Sequence, residues 1–349
     1  MASELPALRA SAAGKWGAHR ARRSCQPLLR RAVRHWTLAA IALGLAGAPA
    51  AAEGVALTFD DLPVFGVLRP VAEQTAITRR LLRGLVRHHL PATGFVNEIN
   101  LEGSDRTARI ALLKAWLDAG MDLGNHTYSH FSLTTTPVDT YIADTARGDA
   151  VTRALLVDRG RTTRWFRYPY LETGPTLAVR RTFETWLASA HYRIAPVTLE
   201  NSDYQYADPY DAALAAHDKR RAKAIRLEYL TYSAKAVAWY RSAAFALTGR
   251  HPPLVWLLHA SKLNADSIGA LAKIARRQRL TPISLDTAMA DPMYAMTDDY
   301  AGPDGNEWLE RWSVTYHRDL PWDRMPKVTR DIAVEAAALD DEPVAHGTP

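Results

Sequence analysis

The stretch Val55-Ala-Leu-Thr-Phe59, followed directly by Asp60-Asp61, sets the interpretation of the whole chain. A short apolar run with β-branched and aromatic residues that ends in two acids predicts a buried strand with ionisable groups at its carboxyl end. From Gly54 onward, similar runs alternate with amphipathic helical patterns, which is typical of β/α units around a parallel sheet. The sequence therefore predicts an α/β fold.

Polar side chains follow five of the predicted strands, in each case where the strand ends. In chain order they are Asp60-Asp61, His126 with His130, Arg167-Tyr-Pro-Tyr170, Asp203 and His259. In a β/α barrel, residues just past the carboxyl ends of different strands converge on one mouth, where catalysis takes place. We therefore expect these five groups to share one site.

One of the paired acids and the two histidines have the donor types of a metal site. The chain has a single cysteine, Cys25, so a metal must bind through histidines and carboxylates. His126 and His130 are four residues apart, which brings both imidazoles to one face if this segment is helical. With Asp61 they give three ligands and leave one position open for water, as in catalytic Zn²⁺ sites. The alternative is that the acids form a solvated turn and that the histidines are ordinary surface or core groups.

Further polar groups fit the acid–base chemistry that such a site needs. The second carboxylate, that of Asp60, can stay unligated and accept a proton. Arg167 can hold the Asp60 carboxylate ionised, or it can form a purely structural ion pair. His259 can protonate a leaving group while Asp203 orients its imidazole, and the alternative is a buried, hydrogen-bonded histidine.

Composition and charge exclude several classes of protein. The 349 residues are 48% hydrophobic and 23% charged, with 19 Gly and 20 Pro, which excludes a disordered or collagen-like chain. The formal charge of +6 lies mostly at the front, where residues 1–52 hold eight basic residues and one acid. This local +7 leaves −1 for the rest of the chain, so the charge does not support nucleic-acid binding.

Residues 1–52 are predicted to be an export signal. A basic segment is followed by an apolar run over 36–46 and by small residues up to Ala52. This order is typical of a secretory signal peptide, and the apolar run is shorter than the ~20 residues that cross a bilayer. The alternatives are an uncleaved inner-membrane anchor and a misassigned start. We expect the protein to be exported, either periplasmic or secreted, with membrane contact only through an uncleaved leader.

Two regions extend the β/α pattern of residues 53–290. A long helical stretch over 208–250 interrupts it, and its apolar stripe is interpreted as core, with a substrate-lining flap as the alternative. The stripe consists of Ile225, Tyr229, Tyr232, Ala236 and Tyr240. Residues 291–349 form a C-terminal extension in which Trp308 and Trp312 fall on one helical face. From about Asp331 the chain is predicted to be a flexible acidic tail.

The set of five polar groups resembles the five motifs of the NodB-homology polysaccharide deacetylases, carbohydrate esterase family four. The resemblance is carried by Thr58-Phe-Asp-Asp61, His126-Thr-Tyr-Ser-His130, Arg167-Tyr-Pro-Tyr170, Asp203 and Leu258-His259, and it spans residues 54–290. It implies a distorted (β/α) TIM-like barrel, here with a helical insertion and a C-terminal extension. It also implies a metal-dependent enzyme that removes acyl groups from sugars.

The resemblance also implies a role for each motif residue. Asp61, His126 and His130 match the metal ligands, and Asp60 matches the catalytic base. Arg167 matches the partner of that base, and Tyr170 matches the donor of a backbone N–H to the oxyanion. His259 and Asp203 match the general acid and the carboxylate that tunes it. The sequence departs from the family where Leu62 replaces the usual Gly and where Tyr204 replaces the expected Trp, so the substrate does not follow from the resemblance.

The resulting prediction is an exported hydrolase that removes acetyl groups, N-acetyl first of all, from a poly- or oligosaccharide. It uses one divalent ion, expected to be Zn²⁺, with Co²⁺, Ni²⁺ or Mn²⁺ as alternatives. An O-acetyl esterase and an amino-sugar deformylase are the alternative enzymes. The alternatives of another class are a non-catalytic glycan-binding module, with Trp308, Trp312 and Trp322 stacking on sugars, and a membrane-tethered scaffold that uses the Tyr-rich insertion.

Overall fold

A computed structural model describes residues 53–66, 69–162 and 164–339. The predicted leader, with Cys25, and residues 340–349 of the predicted tail lie outside the described residues. The strands are β1 (Gly54–Leu62), β2 (Ala92–Val96), β3 (Asp122–Asn125), β4 (Arg164–Phe166), β5 (Tyr192–Ile194), β6 (Leu254–His259) and β7 (Thr281–Pro282).

Helices alternate with these strands and then continue past them. They are α1 (Val71–Arg87), α2 (Arg106–Asp118), α3 (Val138–Arg147), α4 (Ala150–Val157), α5 (Leu177–Ser189), α6 (Asp203–Ala215), α7 (Lys219–Thr248), α8 (Lys262–Arg277), α9 (Leu285–Met289), α10 (Trp308–Thr315) and α11 (Arg330–Leu339). Short 3-10 turns lie at Glu98–Leu101, Pro169–Leu171, Pro292–Ala295 and Trp322–Arg324. No helix among residues 53–66, 69–162 and 164–339 is both long and apolar enough to cross a membrane.

The strands form one parallel sheet, so the predicted α/β fold is confirmed. The strand order is β5-β4-β3-β2-β1-β6, with β7 paired to the start of β1. The ladder of strands is not closed, because β5 and β6 stand at its two ends. Residues after β5 reach across this gap, since the N–H of Thr198 donates to the carbonyl of Val255 and Leu199 pairs with Trp256 in an isolated parallel bridge. The predicted barrel is therefore an open, distorted one among the described residues, with this short contact across its gap.

Strand β1 is buried along its whole length because apolar side chains cover both faces. Its residues alternate between two apolar layers, as the pleat of a strand requires. Leu57 and Phe59 pack in the large layer beneath the helices, whereas Ala56 faces a small inner layer. The inner layer consists of Ala56, Phe95, Trp165, Ala195, Val255, Leu285 and Ala288. Both layers hold the carboxyl end of β1 in a fixed position.

The predicted helical insertion is two helices, α6 and α7, and it begins earlier than the sequence pattern indicated. The chain turns at Asp218, whose carboxylate accepts the N–H of Arg221 and caps α7. Gly249 ends α7 in the left-handed conformation, with φ 70°, which glycine adopts without strain. The five residues of the apolar stripe are all buried, so the stripe is core and not an exposed flap.

The C-terminal extension packs on the barrel through buried polar contacts. The Arg311 side chain is fully buried and donates to Asp298 Oδ2 at 2.8 Å and to Thr173 Oγ1 at 2.8 Å. Trp308 and Trp312 lie on one face of α10 and both are buried. The predicted flexible tail is wrong for residues 331–339, which belong to α11. This helix is ordered because Ile332 is buried and Glu335 pairs with Arg221.

We expect the substitution Arg311→Ala to lower the free energy of unfolding by about 1–3 kcal/mol, because the buried Asp298 carboxylate loses one of its two arginine partners and keeps Arg180 at 3.0 Å. Urea denaturation measures this difference. The matched control is Arg324→Ala, whose side chain is 82% exposed and pairs only with the exposed Asp323; it should change stability by less than ~0.5 kcal/mol. Equal stability of both variants would show that the extension does not stabilise the barrel.

Candidate active site

The two adjacent acids lie where β1 ends between β2 and β6. Asp60 stands in register with His259 of β6. The pairing of β1 with β2 shifts between Phe59 and Leu62, and Asp61 has a left-handed backbone with φ 61°. An irregularity of this kind redirects side chains at the end of a strand. The adjacent carboxylates therefore reach different partners, as the sequence analysis expected.

The two histidines lie on a loop, so the helix that would bring residues four apart to one face is not present at 126–130. Thr127 and His130 have φ angles of 66° and 58°, which no helix allows. Asn125 Oδ1 accepts the N–H of Thr127 at 2.7 Å, and Thr127 Oγ1 accepts the N–H of His130 at 2.9 Å. These bonds fold the loop tightly, and the ring centroids of the two histidines lie 5.0 Å apart. The four-residue spacing of His126 and His130 correctly indicated that their rings lie close together, but a turn and not a helix brings them there.

Helix α3 braces this loop from behind. The Asp144 carboxylate accepts the N–H groups of Tyr128 and Ser129 at 3.1 and 3.0 Å, and the Ser129 hydroxyl at 2.7 Å. The loop and the end of α3 approach so closely that a Cβ at Gly148 would lie 2.5 Å from the backbone of Thr127 and of Tyr128. Asp144 and Gly148 thus fix the position of both histidines without contacting their rings.

The donor atoms of Asp61, His126 and His130 fit a cation. His126 Nδ1 lies 2.9 Å from the carbonyl oxygen of Arg167, and because a carbonyl only accepts, Nδ1 carries the proton and Nε2 presents a lone pair. Burial lowers the pKa of His126 well below its usual value, which keeps the ring neutral. Its Nε2 faces Asp61 Oδ1 at 3.6 Å, and His130 Nε2 lies 3.4 Å from the same oxygen.

Asp61 Oδ1 is buried, and no donor among the described residues hydrogen-bonds to it. An acceptor that faces a nitrogen lone pair in a buried place is costly unless a positive ion lies between them. The three ligand atoms lie within 4.8 Å of one another, close enough to share one ion. Two imidazoles and a carboxylate are the ligand types of catalytic zinc sites.

Arg167 holds the second acid. Its guanidinium is fully buried and donates to Asp60 Oδ2 at 3.3 Å, to Thr58 Oγ1 at 3.0 Å and to the carbonyl of Ala195 at 2.7 Å. Burial raises the pKa of Asp60 to about 6, and the positive charge of Arg167 opposes this rise. The other oxygen, Asp60 Oδ1, has no hydrogen-bond donor among the described residues. This carboxylate is placed to accept a proton.

His259, which is partly buried, and the buried Asp203 form a second pair close to Asp61. Asp203 Oδ1 lies 2.8 Å from His259 Nδ1, and its Oδ2 accepts the backbone N–H of His259 at 2.7 Å. Burial alone would lower the pKa of His259, but the Asp203 carboxylate outweighs it and raises the pKa to about 10. His259 Nε2 lies 3.8 Å from Asp61 Oδ2, so its proton points at the predicted metal site.

Tyr170 lies at the rim of the site. It has a φ of 55° within the short turn Pro169–Leu171, and its side chain is 38% exposed. Its ring centroid lies 4.5 Å from that of His130. A Cβ at Gly305 would lie 1.7 Å from the carbonyl oxygen of Tyr170, so the C-terminal extension presses directly on this turn. The role of the Tyr170 N–H as an oxyanion donor remains a prediction.

All the site residues selected from the sequence lie together at the carboxyl ends of the strands. The sequence analysis missed the residues that hold them, among them Asn125, Asp144 and Gly148. Asn125 carried a signal, since Asn before a polar segment often forms a side-chain turn. Asp144 and Gly148 carried none, because both are distant in sequence from the acceptors and backbone atoms that they contact.

Residues 47–184 match the family model described as polysaccharide deacetylase. A search of curated proteins finds no match to the sequence. Among solved structures, the chain is similar to the chitin deacetylase of the fungal pathogen Colletotrichum lindemuthianum, with 21% identity over 68% of this chain and 87% of that one, and a TM-score of 0.48.

Two further structures show the same level of similarity. The family 4 carbohydrate esterase from Streptomyces lividans in complex with acetate has 22% identity over 68% of this chain and 95% of that one, with a TM-score of 0.44. A CE4 family pseudoenzyme from Bacillus anthracis has 17% identity over 65% of this chain and 61% of that one, with a TM-score of 0.44. The family match covers less than half of the chain, and these TM-scores lie below 0.5.

We expect Asp144→Ala to weaken zinc binding about 10- to 100-fold, because the loop that carries His126 and His130 loses three hydrogen bonds. Isothermal titration with Zn²⁺ measures the affinity. The control is Asp139→Ala, an exposed acid on the same helix, which should leave the affinity unchanged. If both variants bind zinc as tightly as the wild type does, the contact between Asp144 and the histidine loop does not matter for zinc binding.

Proposed function

We propose that this chain is a metal-dependent hydrolase that removes N-acetyl groups from a poly- or oligosaccharide, a proposal supported by the match of residues 47–184 to the polysaccharide deacetylase family model. One observation carries the proposal. The unprotonated Nε2 of His126 faces Asp61 Oδ1 in a buried place, and no residue that the structure describes donates a hydrogen bond to this oxygen. Beside them lies a second acid, Asp60, which pairs with Arg167. A cation site next to a separate carboxylate is the arrangement that metal-assisted hydrolysis requires.

Asp61, His126 and His130 would hold the ion, and their donor types favour Zn²⁺. When bound, a divalent ion of this kind polarises a carbonyl group and makes a nearby water molecule more acidic. Asp60 Oδ1 accepts the proton of the attacking water, since its other oxygen is held by Arg167. The N–H of Tyr170 donates to the oxygen that gains negative charge as the acetyl carbon becomes tetrahedral.

His259 completes the reaction by protonating the leaving nitrogen. Amide cleavage stalls without this proton because an amide anion is a poor leaving group. The Asp203 carboxylate keeps the imidazole charged and fixes its Nδ1, so that the proton on Nε2 faces the site. The reaction balances, with water and the N-acetyl sugar giving acetate and a free amino sugar.

The retained acid–base groups favour an enzyme over a binding module. Binding a sugar requires neither the Arg167–Asp60 pair nor the Asp203–His259 pair. Trp308 and Trp312, suggested as stacking platforms in that alternative, are buried and unavailable to a sugar. Trp322 is 42% exposed, but its ring packs at 5.2 Å from that of Trp239. The binding alternative therefore loses two of its three aromatic residues.

We also propose that the protein is exported to the periplasm or secreted, on the basis of the leader pattern of residues 1–52. The active domain would then meet a glycan of the cell envelope or of the surroundings. The test is fractionation of cells that express the full chain, followed by N-terminal sequencing of the mature protein. Accumulation of the intact chain in the cytoplasm would contradict export.

We expect purified residues 53–349, loaded with zinc, to release acetate from at least one N-acetylated glycan. A screen of N-acetylglucosamine oligomers, peptidoglycan, acetylated xylan and an acylated exopolysaccharide, with acetate and formate measured separately, distinguishes N-deacetylation from O-deacetylation and deformylation. Removal of the metal with a chelator should abolish release, and added Zn²⁺ should restore it. Release that survives complete metal removal would contradict the metal-dependent mechanism.

Asp60→Asn and His259→Ala should each lower kcat by about 10²- to 10⁴-fold, because each removes one proton-transfer group. Metal content should stay near that of the wild type, since neither residue is a proposed ligand. Asp323→Asn, at a side chain with 78% exposure, serves as the control for both measurements. Loss of metal in parallel with activity would mean that the roles of ligand and acid–base group are wrongly assigned.

A further inference from the structure

The long helix α7 reaches the proton donor of the site through a chain of buried hydrogen bonds. Tyr229 of α7 donates its hydroxyl to Asn264 Oδ1 at 2.6 Å. The amide nitrogen of Asn264 donates to Asp203 Oδ2 and to the carbonyl of His259 at 2.8 Å. Asp203 in turn holds His259 Nδ1. Helix α7 is thereby connected to the imidazole through two side chains, Asn264 and Asp203.

The donor and acceptor types of these side chains fix the direction of each hydrogen bond in the series. Asp203 and the carbonyl of His259 are acceptors only, so the NH₂ end of Asn264 must face them. Its Oδ1 then needs a donor, and the Tyr229 hydroxyl is the one that supplies it. The phenol oxygen of Tyr229 accepts in its turn from Asn201 Nδ2 at 3.0 Å. The side chains of Asn201, Asp203, Tyr229 and Asn264 are each at most 1% exposed. Water therefore does not replace a hydrogen bond that one of them loses.

The orientation of the Asp203 carboxylate depends on this series of hydrogen bonds, because its two oxygens have different partners. Its Oδ1 aims the imidazole, and its Oδ2 is held by the backbone N–H of His259 and by Asn264. Without the amide of Asn264, the carboxylate can rotate about its last bond and Oδ1 leaves the plane of the imidazole. Without the hydroxyl of Tyr229, the Asn264 amide can turn over and place its oxygen against Asp203, which repels it.

We infer that Asn264 and Tyr229 are positioning residues for the general acid His259, so that the helical insertion of this chain sets how well poor leaving groups are expelled. The inference rests on the proposed function, because it assumes that His259 protonates the leaving nitrogen. Neither residue touches the reacting atoms. Both act through Asp203, and their effect should appear only where the reaction needs the proton.

The dependence on the leaving group gives a test that separates positioning from a general structural role. An N-acetylated amine leaves only when protonated, whereas 4-nitrophenolate leaves from 4-nitrophenyl acetate without a proton. We expect Asn264→Ala to lower kcat about 100-fold and Tyr229→Phe about 10-fold on N-acetylglucosamine oligomers. On the aryl ester, both variants should stay within about 3-fold of the wild type.

Tyr210→Phe is the matched control. Tyr210 of α6 also donates a buried hydroxyl to the neighbouring α8, at 2.7 Å to Asp266 Oδ2, but this bond does not lead to Asp203. Its kcat on both substrates should equal that of the wild type. Equal losses on amide and ester in the Tyr229→Phe variant, or no loss on the amide, would overturn the inference. The conservative Tyr229→Phe variant decides the question if Asn264→Ala does not fold.

A second measurement does not depend on turnover. The proton on His259 Nδ1, bonded to Asp203 at 2.8 Å, should give a low-field NMR signal that is absent from the His259→Ala variant. We expect this signal to shift in Asn264→Ala and Tyr229→Phe and to stay in place in Tyr210→Phe. An unchanged signal in all three variants would overturn the inference. A wild type that cleaves neither substrate but shows these shifts would instead refute the proposed function alone.

Discussion

The buried guanidinium of Arg167 is the interaction on which the site depends. It donates to the Asp60 carboxylate, to Thr58 on the same strand and to the carbonyl of Ala195 beyond β5. Its own carbonyl oxygen accepts the Nδ1 proton of His126. One residue therefore keeps the base ionised and determines which nitrogen of a ligand histidine is available. A fully buried cation is costly to desolvate, and it is tolerated here because a carboxylate and two neutral acceptors surround it.

Backbone strain is concentrated around the same place. Asp61, Thr127, His130 and Tyr170 all have positive φ angles, a conformation that costs free energy for residues other than glycine. Such conformations persist where the surroundings impose them, and here each is held by a short loop against a packed element. The strain lets ligands from one strand and one loop point toward one small volume.

Helix α7 and the C-terminal extension both contribute to the site from a distance. Helix α7 reaches Asp203 through Tyr229 and Asn264, and the C-terminal extension presses Gly305 against the turn that carries Tyr170. Neither region supplies a proposed ligand or proton-transfer group. Their contribution is to hold the carboxylate and the turn in place, which is how a site gains geometric precision from residues that touch no substrate.

The sequence by itself determined the α/β fold and the residue types of the site, because apolar runs ending in ionisable groups depend only on local periodicity and strand ends. It did not determine how His126 and His130 converge, since a four-residue spacing suits both a helix and a tight loop, and only the contact with Asp144 and Gly148 selects the loop. It also missed the order of residues 331–339, which depends on the burial of Ile332. Tertiary structure alone decided which nitrogen of His126 is unprotonated, because this follows from the carbonyl of Arg167, which is far away in the chain.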